Sequence, residues 1–151
     1  MSDNWITVIP ESLDFVPSKA ALKETRAWFK RIAPKADEIE VTTSDEVRFF
    51  DCGANFERVT CPSCNAELEQ DWWSERMGDD STDSGFALQK FVLPCCRHQA
   101  TLHELKYDWA QGFGRVAVSV MNPNIGALTT AQIAQLEQIL GARVRVIYQH
   151  L

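Results

Sequence analysis

The spacing of apolar positions changes between two and about 3.6 residues along this chain, and each change marks an element boundary. Trp5-Ile6-Thr7-Val8-Ile9 is a β-branched run closed by Pro10 and predicts a strand. Ser18 is placed to cap a helix running to about Ala33 and stopped by Pro34. Leu22, Trp28, Phe29 and Ile32 recur there at helical spacing. Three short strands are expected next: residues 38–42 and 47–51, flanking the polar turn Thr43-Ser44-Asp45, and residues 56–60, which lead to Cys61. Residues 66–77 predict a helix carrying Leu68, Trp72 and Trp73, and residues 78–85 predict a solvated, mobile loop. Residues 86–93 read as a strand ending at Pro94-Cys95-Cys96, with residues 99–105 as its returning partner.

The last third carries the clearest signals. Residues 115–121 form a Val-rich strand, turned by Asn122-Pro123-Asn124. Thr129 and Gln132 make a capping box for a helix that ends at Gly141, with Ile133, Leu136, Ile139 and Leu140 as its buried stripe. Residues 143–148 alternate as a final strand. Strand–helix–strand at both ends is the order of a split βαβ, so the expectation is an α+β, ferredoxin-like frame. Within this single domain, residues 56–109 would be an inserted zinc-ribbon-like β unit.

Composition narrows the class. A chain of 151 residues, 45% hydrophobic and 24% charged, is long enough to bury one core without disulfides. No stretch has the roughly 20 apolar residues of a membrane span, and the N-terminal residues show no basic-then-apolar export pattern. A cytoplasmic location without membrane contact is expected. The net charge of −6, with Lys and Arg scattered, argues against nucleic acid and favours a basic protein partner.

The candidate chemistry lies in the cysteines. Four of the five stand in two tight groups, Cys61-Pro62-Ser63-Cys64 and Cys95-Cys96-Arg97-His98. In a reducing compartment such groups bind metal or do chemistry instead of forming disulfides. Two thiolates three residues apart on a tight turn can face one ion, and zinc accepts sulfur and imidazole in a tetrahedral shell. Three ligand sets follow: Cys61, Cys64, Cys95 and His98; Cys61, Cys64, Cys95 and Cys96; or Cys61, Cys64, Cys96 and His98. Adjacent residues in a strand point to opposite faces, so the second set requires the backbone to turn at Pro94. Cys52 reads as a core residue.

Other features read as structural. Trp72, Trp73, Tyr107, Trp109 and Phe113 crowd near the cysteines; they complete a thin core, with one of Trp72 and Trp73 partly exposed, or else form an aromatic binding surface. Gly112-Phe113-Gly114 reads as a turn, and Asp79, Asp80 and Asp83 as solvated acids. No phosphate-binding loop, nucleophile elbow or zinc-protease motif is present.

The motifs Cys61-Pro62-Ser63-Cys64, Asp71-Trp72-Trp73, Leu93-Pro94-Cys95-Cys96, Leu105-Lys106-Tyr107-Asp108-Trp109, Gly112-Phe113 and Asn122-Pro123 resemble a family of small uncharacterised bacterial proteins with a zinc-ribbon-like unit. Some members carry a label borrowed from sugar-transport ATPases, which a chain lacking a phosphate-binding loop does not support. The resemblance implies a structural zinc site. In that family glycine usually follows the paired cysteines where Arg97 stands here, which favours Cys95 and Cys96 as paired ligands over His98. The functional expectation is a non-enzymatic protein-binding module, of an immunity or antitoxin type, with structural zinc. The alternatives are an enzyme using Cys96 with His98 or His103 and Glu104, and a nucleic-acid-binding zinc ribbon.

Overall fold

The computed structural model describes residues 2–151 as a mixed α and β fold with three helices and a six-stranded sheet. Strand β1 (Asn4–Pro10) is followed by helix α1 (Lys19–Ile32) and by β2 (Glu38–Phe50), a single long strand. The C-terminal part supplies β10 (Gly112–Met121), α3 (Thr130–Leu140) and β11 (Val144–His150). These four strands stand in the order β11-β1-β10-β2, every neighbour antiparallel. β10 is central and buried nearly throughout, which suits its Val116-Ala117-Val118 sequence.

Helices α1 and α3 cover one face of the sheet. Ser18 Oγ accepts the Ala21 N–H at 3.0 Å to start α1, and Thr129 with Gln132 forms the reciprocal capping box of α3. Gly141 ends α3 in the left-handed conformation, at φ 83. Trp28, Phe29, Leu136 and Leu140 meet Ile6, Val8, Val118 and Val120 of the sheet in one core. Each fully buried large side chain there contributes about 1.5–3 kcal/mol. The opposite face is closed by Cys52 and Phe56 against Ile9, Ala117 and Ile147, so Cys52 is indeed a core residue.

Residues 51–111 form the excursion between β2 and β10. Its short strands are β3 (Val59–Thr60), β4 (Glu67–Leu68), β5 (Ser81–Thr82), β6 (Gly85–Phe86), β7 (Phe91–Val92), β8 (Gln99–Ala100) and β9 (Lys106–Tyr107), with helix α2 (Gln70–Asp80) after β4. β4-β3-β9 and β7-β8 make two small sheets, and β6 joins the edge of the main sheet beside β2. Val59, Leu68, Leu93, Leu102, Leu105 and Phe113 share a second core.

Several expectations change. Residues 38–50 are one strand, because Thr43-Ser44-Asp45 is absorbed as a bulge: β2 advances from Thr43 to Arg48 while β10 advances only from Val116 to Gly114. The supposed mobile loop is the end of α2 and a hairpin. Asp80 is fully buried, and its carboxylate accepts the Leu88 and Gln89 N–H groups at 2.9 Å each. Gly112-Phe113-Gly114 is the start of β10, not a turn. A side chain at Gly112 would stand 2.9 Å from His103 Nδ1 and closer still to the Arg145 guanidinium, so it would have to displace both groups. The aromatic residues are mostly core: Trp73 packs on Phe56 at 5.0 Å between ring centres, donates to Tyr107 Oη at 3.0 Å, and like Trp72 is half-buried.

Candidate metal centre

The four paired cysteines meet. The Sγ atoms of Cys61, Cys64, Cys95 and Cys96 all lie within 4.8 Å of one another, close enough to hold a single metal ion. Cys61 and Cys96 are 3.7 Å apart, and Cys95 and Cys96 are 3.9 Å apart.

Two matching turns bring them there. In the first, between β3 and β4, the Cys61 N–H donates to the Ala66 carbonyl at 2.9 Å, and the Asn65 N–H donates to the Cys61 carbonyl at 3.0 Å. In the second, between β7 and β8, the Leu93 N–H donates to the His98 carbonyl and the Arg97 N–H to the Leu93 carbonyl, each at 2.9 Å. Each turn has proline second and cysteine fourth, Pro62 with Cys64 and Pro94 with Cys96. Each has a left-handed fifth residue, Asn65 and Arg97, both at φ 62. The placement of cysteine differs at the first and third positions. Where the first turn has Cys61, the second has Leu93, fully buried in the excursion's core. Cys95 at the third position replaces the missing sulfur, and the tight turn puts its thiol and that of Cys96 on the same side.

Cys61 is buried, whereas Cys64, Cys95 and Cys96 are exposed. The N–H groups of Ser63 and Cys64 donate to Cys61 Sγ at 3.3 and 3.4 Å. Burial opposes ionisation of Cys61, yet these N–H groups and the thiols of Cys95 and Cys96 outweigh it and lower Cys61 to about 6. At Cys95, partial desolvation, the hydrogen bonds to its three sulfur neighbours and the charge on Cys61 push the thiol up to about 12. Four clustered thiols resist losing all their protons together, and a bound cation removes that resistance.

His98 stands outside this group: its side chain is exposed, and its carbonyl closes the second turn. His103 is held elsewhere. Its Nδ1 accepts the Phe113 N–H at 3.0 Å, and its Nε2 lies 2.8 Å from the Glu11 carbonyl, which assigns the ring proton to Nε2. Glu104 accepts the Thr101 N–H at 2.8 Å. These bonds commit His103 and Glu104 to local structure.

A second polar cluster had no signal in the sequence, because its members come from distant segments. Arg145 of β11 makes a two-point ion pair with Glu11, donates to the Gln111 carbonyl at 2.8 Å, and donates to the His103 carbonyl at 3.1 Å. One guanidinium thereby ties the excursion to the main sheet. Burial and the nearby Arg145 charge hold His103 below the usual imidazole range. Burial works the other way at Glu11, where the hydrogen bonds and charge of Arg145 win and lower its pKa. Gln111 is buried as well, and its Oε1 accepts the Cys52 N–H at 3.1 Å. Among the described residues, no helix is long and apolar enough to cross a membrane.

Comparison of the chain with protein-family models, with curated proteins and with solved structures finds no match.

Proposed function

We propose that this is a non-enzymatic protein-binding module, of an immunity or antitoxin type, whose zinc-ribbon-like insert is stapled by a structural zinc ion on a ferredoxin-like frame. The observation that carries the reading is the convergence of four sulfurs on two matched turns. Tetrahedral zinc at about 2.3 Å from each thiolate separates its sulfurs by about 3.8 Å. The 3.7 and 3.9 Å separations found here fit that shell. The sulfurs are also too close together to enclose an iron–sulfur cluster, whose cysteines bind different metal atoms. Four protein ligands leave no open position, which suits a structural role. The antiparallel order β11-β1-β10-β2 supports the ferredoxin-like reading of the frame, and the resemblance to small bacterial zinc-ribbon-like proteins is part of the same proposal.

A basic protein partner fits the exposed carboxylates Glu67, Glu69, Asp71, Glu75, Asp79 and Asp83, which follow one another along β4, α2 and the hairpin. The only basic residue in that stretch, Arg76, is already paired with Glu75 and Asp79. This field steers a cationic surface and repels phosphate. Metal analysis of protein purified without chelator should find one zinc per chain. Affinity capture from the native cell should recover a basic protein that a Glu69→Lys, Asp71→Lys, Glu75→Lys variant loses. Substoichiometric zinc would refute the staple, and capture indifferent to charge reversal would refute the partner.

The exposure of Cys64, Cys95 and Cys96 favours one competing reading, thiol chemistry. It requires rapid single-site alkylation of the native, metal-loaded protein by iodoacetamide. The structural reading requires all four thiols to be protected until the metal is removed.

A further inference from the structure

Away from the cysteines, a cavity of about 470 Å³ opens where β1, β11 and the loop after β10 meet. Its volume lies within the range of small-molecule sites. Thirteen residues line it, and none is Asp, Glu, Lys or Arg, although 24% of the chain is charged and about three would be expected in a sample of that size. Instead it is lined by aromatic rings and carboxamides. Trp5, Trp109 and Tyr148 supply the rings, and Asn4, Asn55 and Asn124 are among the amides. Trp109 is 42% exposed, the one aromatic side chain among the large exposed hydrophobics of the described residues. The backbone that carries it is held in place: the Trp109 backbone N–H donates to Asp108 Oδ1 at 3.0 Å, an atom that also accepts the Arg58 backbone N–H at 3.0 Å.

One wall is built in advance. Asn122 and Asn124 sit in the left-handed region, at φ 48 and φ 58. Asn122 Nδ2 donates to the carboxylates of Asp3 and Asp37 at 3.1 and 2.8 Å, and its Oδ1 accepts the Asn4 N–H at 2.9 Å. Asn124 Nδ2 donates to the Asn122 carbonyl at 3.0 Å. Asn55 Nδ2 donates to the Tyr148 carbonyl at 3.0 Å, which leaves its side-chain oxygen without a partner among the described residues. Asn4 Oδ1 shares a hydrogen bond of 2.7 Å with His150 Nδ1, which leaves the Asn4 amide nitrogen free among them. Preorganised walls with unspent donors and acceptors lower the cost of ordering a ligand.

We propose that this cavity binds an uncharged planar heterocycle with a hydrogen-bonding edge, of the purine base or nucleoside type. Aromatic faces stack on such rings whatever their substituents. A carboxamide presents one donor and one acceptor in a plane, and this matches the adjacent donor and acceptor on a purine edge. With no lysine or arginine in the lining, a phosphate finds no guanidinium or ammonium to pair with, so the site favours the nucleoside over the nucleotide.

The test is titration of the metal-loaded protein with adenosine, followed through the tryptophan indole N–H resonances in a proton–nitrogen correlation spectrum. Of five indole signals, those of Trp5 and Trp109 should shift in a saturable way. Trp109→Ala should weaken adenosine binding about ten-fold or more while the other indole signals keep their positions, and Trp109→Phe should recover part of the loss. Adenosine monophosphate should bind more weakly than adenosine. Four results would each overturn the proposal: no shift with adenine or adenosine at millimolar concentration, equal binding by Trp109→Ala, tighter binding of the monophosphate, or binding of methyl glucoside in place of adenosine.

Discussion

Arg97 occupies the left-handed corner of the second cysteine turn, and replacing it with glycine should stabilise the protein. Its φ of 62 is one that a residue with a Cβ adopts at a cost of about 1–2 kcal/mol. Glycine removes that cost but loses more backbone freedom on folding, by about 0.5–1 kcal/mol. The exposed Arg97 side chain makes no hydrogen bond or ion pair among the described residues, so deleting it sacrifices no contact. The balance is a gain of about 0.5–1 kcal/mol, or about 1–4 °C in melting temperature for a chain of this length. Thermal unfolding of metal-loaded wild type, Arg97→Gly and Arg97→Ala should show the glycine variant highest, with alanine close to arginine because it keeps the Cβ. Asn65→Gly, at the matching position, should gain less, since asparagine tolerates this conformation. If Arg97→Ala gains as much as Arg97→Gly, the benefit comes from the lost charge, and the conformational argument fails.

Cys61→Ser and Cys96→Ser should each abolish stoichiometric metal binding, whereas His98→Ala should retain it; metal analysis of the three purified variants decides. Gly112→Ala should destabilise the protein by about 1–3 kcal/mol in denaturant titration, because the added methyl meets the Arg145 guanidinium and His103. The depressed pKa values of His103 and Glu11 mean that the unfolded chain binds more protons than the folded one. Stability from His103 is therefore lost as pH falls below its unfolded value of about 6.5, and that from Glu11 as pH falls below about 4.5. His103→Gln should flatten the upper part of this decline in unfolding measured against pH, and an unchanged slope would show that His103 titrates freely.

The frame was legible where periodicity and caps agreed, as in α1 with Ser18, α3 with Thr129 and Gln132, and the Val-rich β10. It was illegible where one polar stretch has two physical uses. Thr43-Ser44-Asp45 has turn composition, yet the ladder with β10 continues past it and absorbs it as a bulge. Asp79-Asp80 has loop composition, but Asp80 is buried because two backbone N–H groups satisfy its carboxylate. At the cysteines, all the sulfurs that converge were candidates from their spacing. The choice among Cys95, Cys96 and His98 depended on a turn geometry visible only when Leu93-Pro94-Cys95-Cys96 is laid over Cys61-Pro62-Ser63-Cys64. Proline second and cysteine fourth was the available signal, hidden by leucine in the first place. The ties among Glu11, His103 and Arg145 span most of the chain and leave no local trace.

The excursion begins and ends on one rung of the main sheet, since Phe50 and Gly112 are paired neighbours of β2 and β10. Closing so long a loop of unstructured chain costs about 4 kcal/mol by polymer statistics, set against the first contacts the rung gains. An excursion already folded around an ion held by the four cysteines would present its two ends side by side, and most of that cost would vanish. On the structural-metal reading proposed above, metal availability would then set how fast the whole molecule folds as well as how stable it is. A chain emerging into metal-poor surroundings would linger with β2 unpaired and its apolar face open to aggregation.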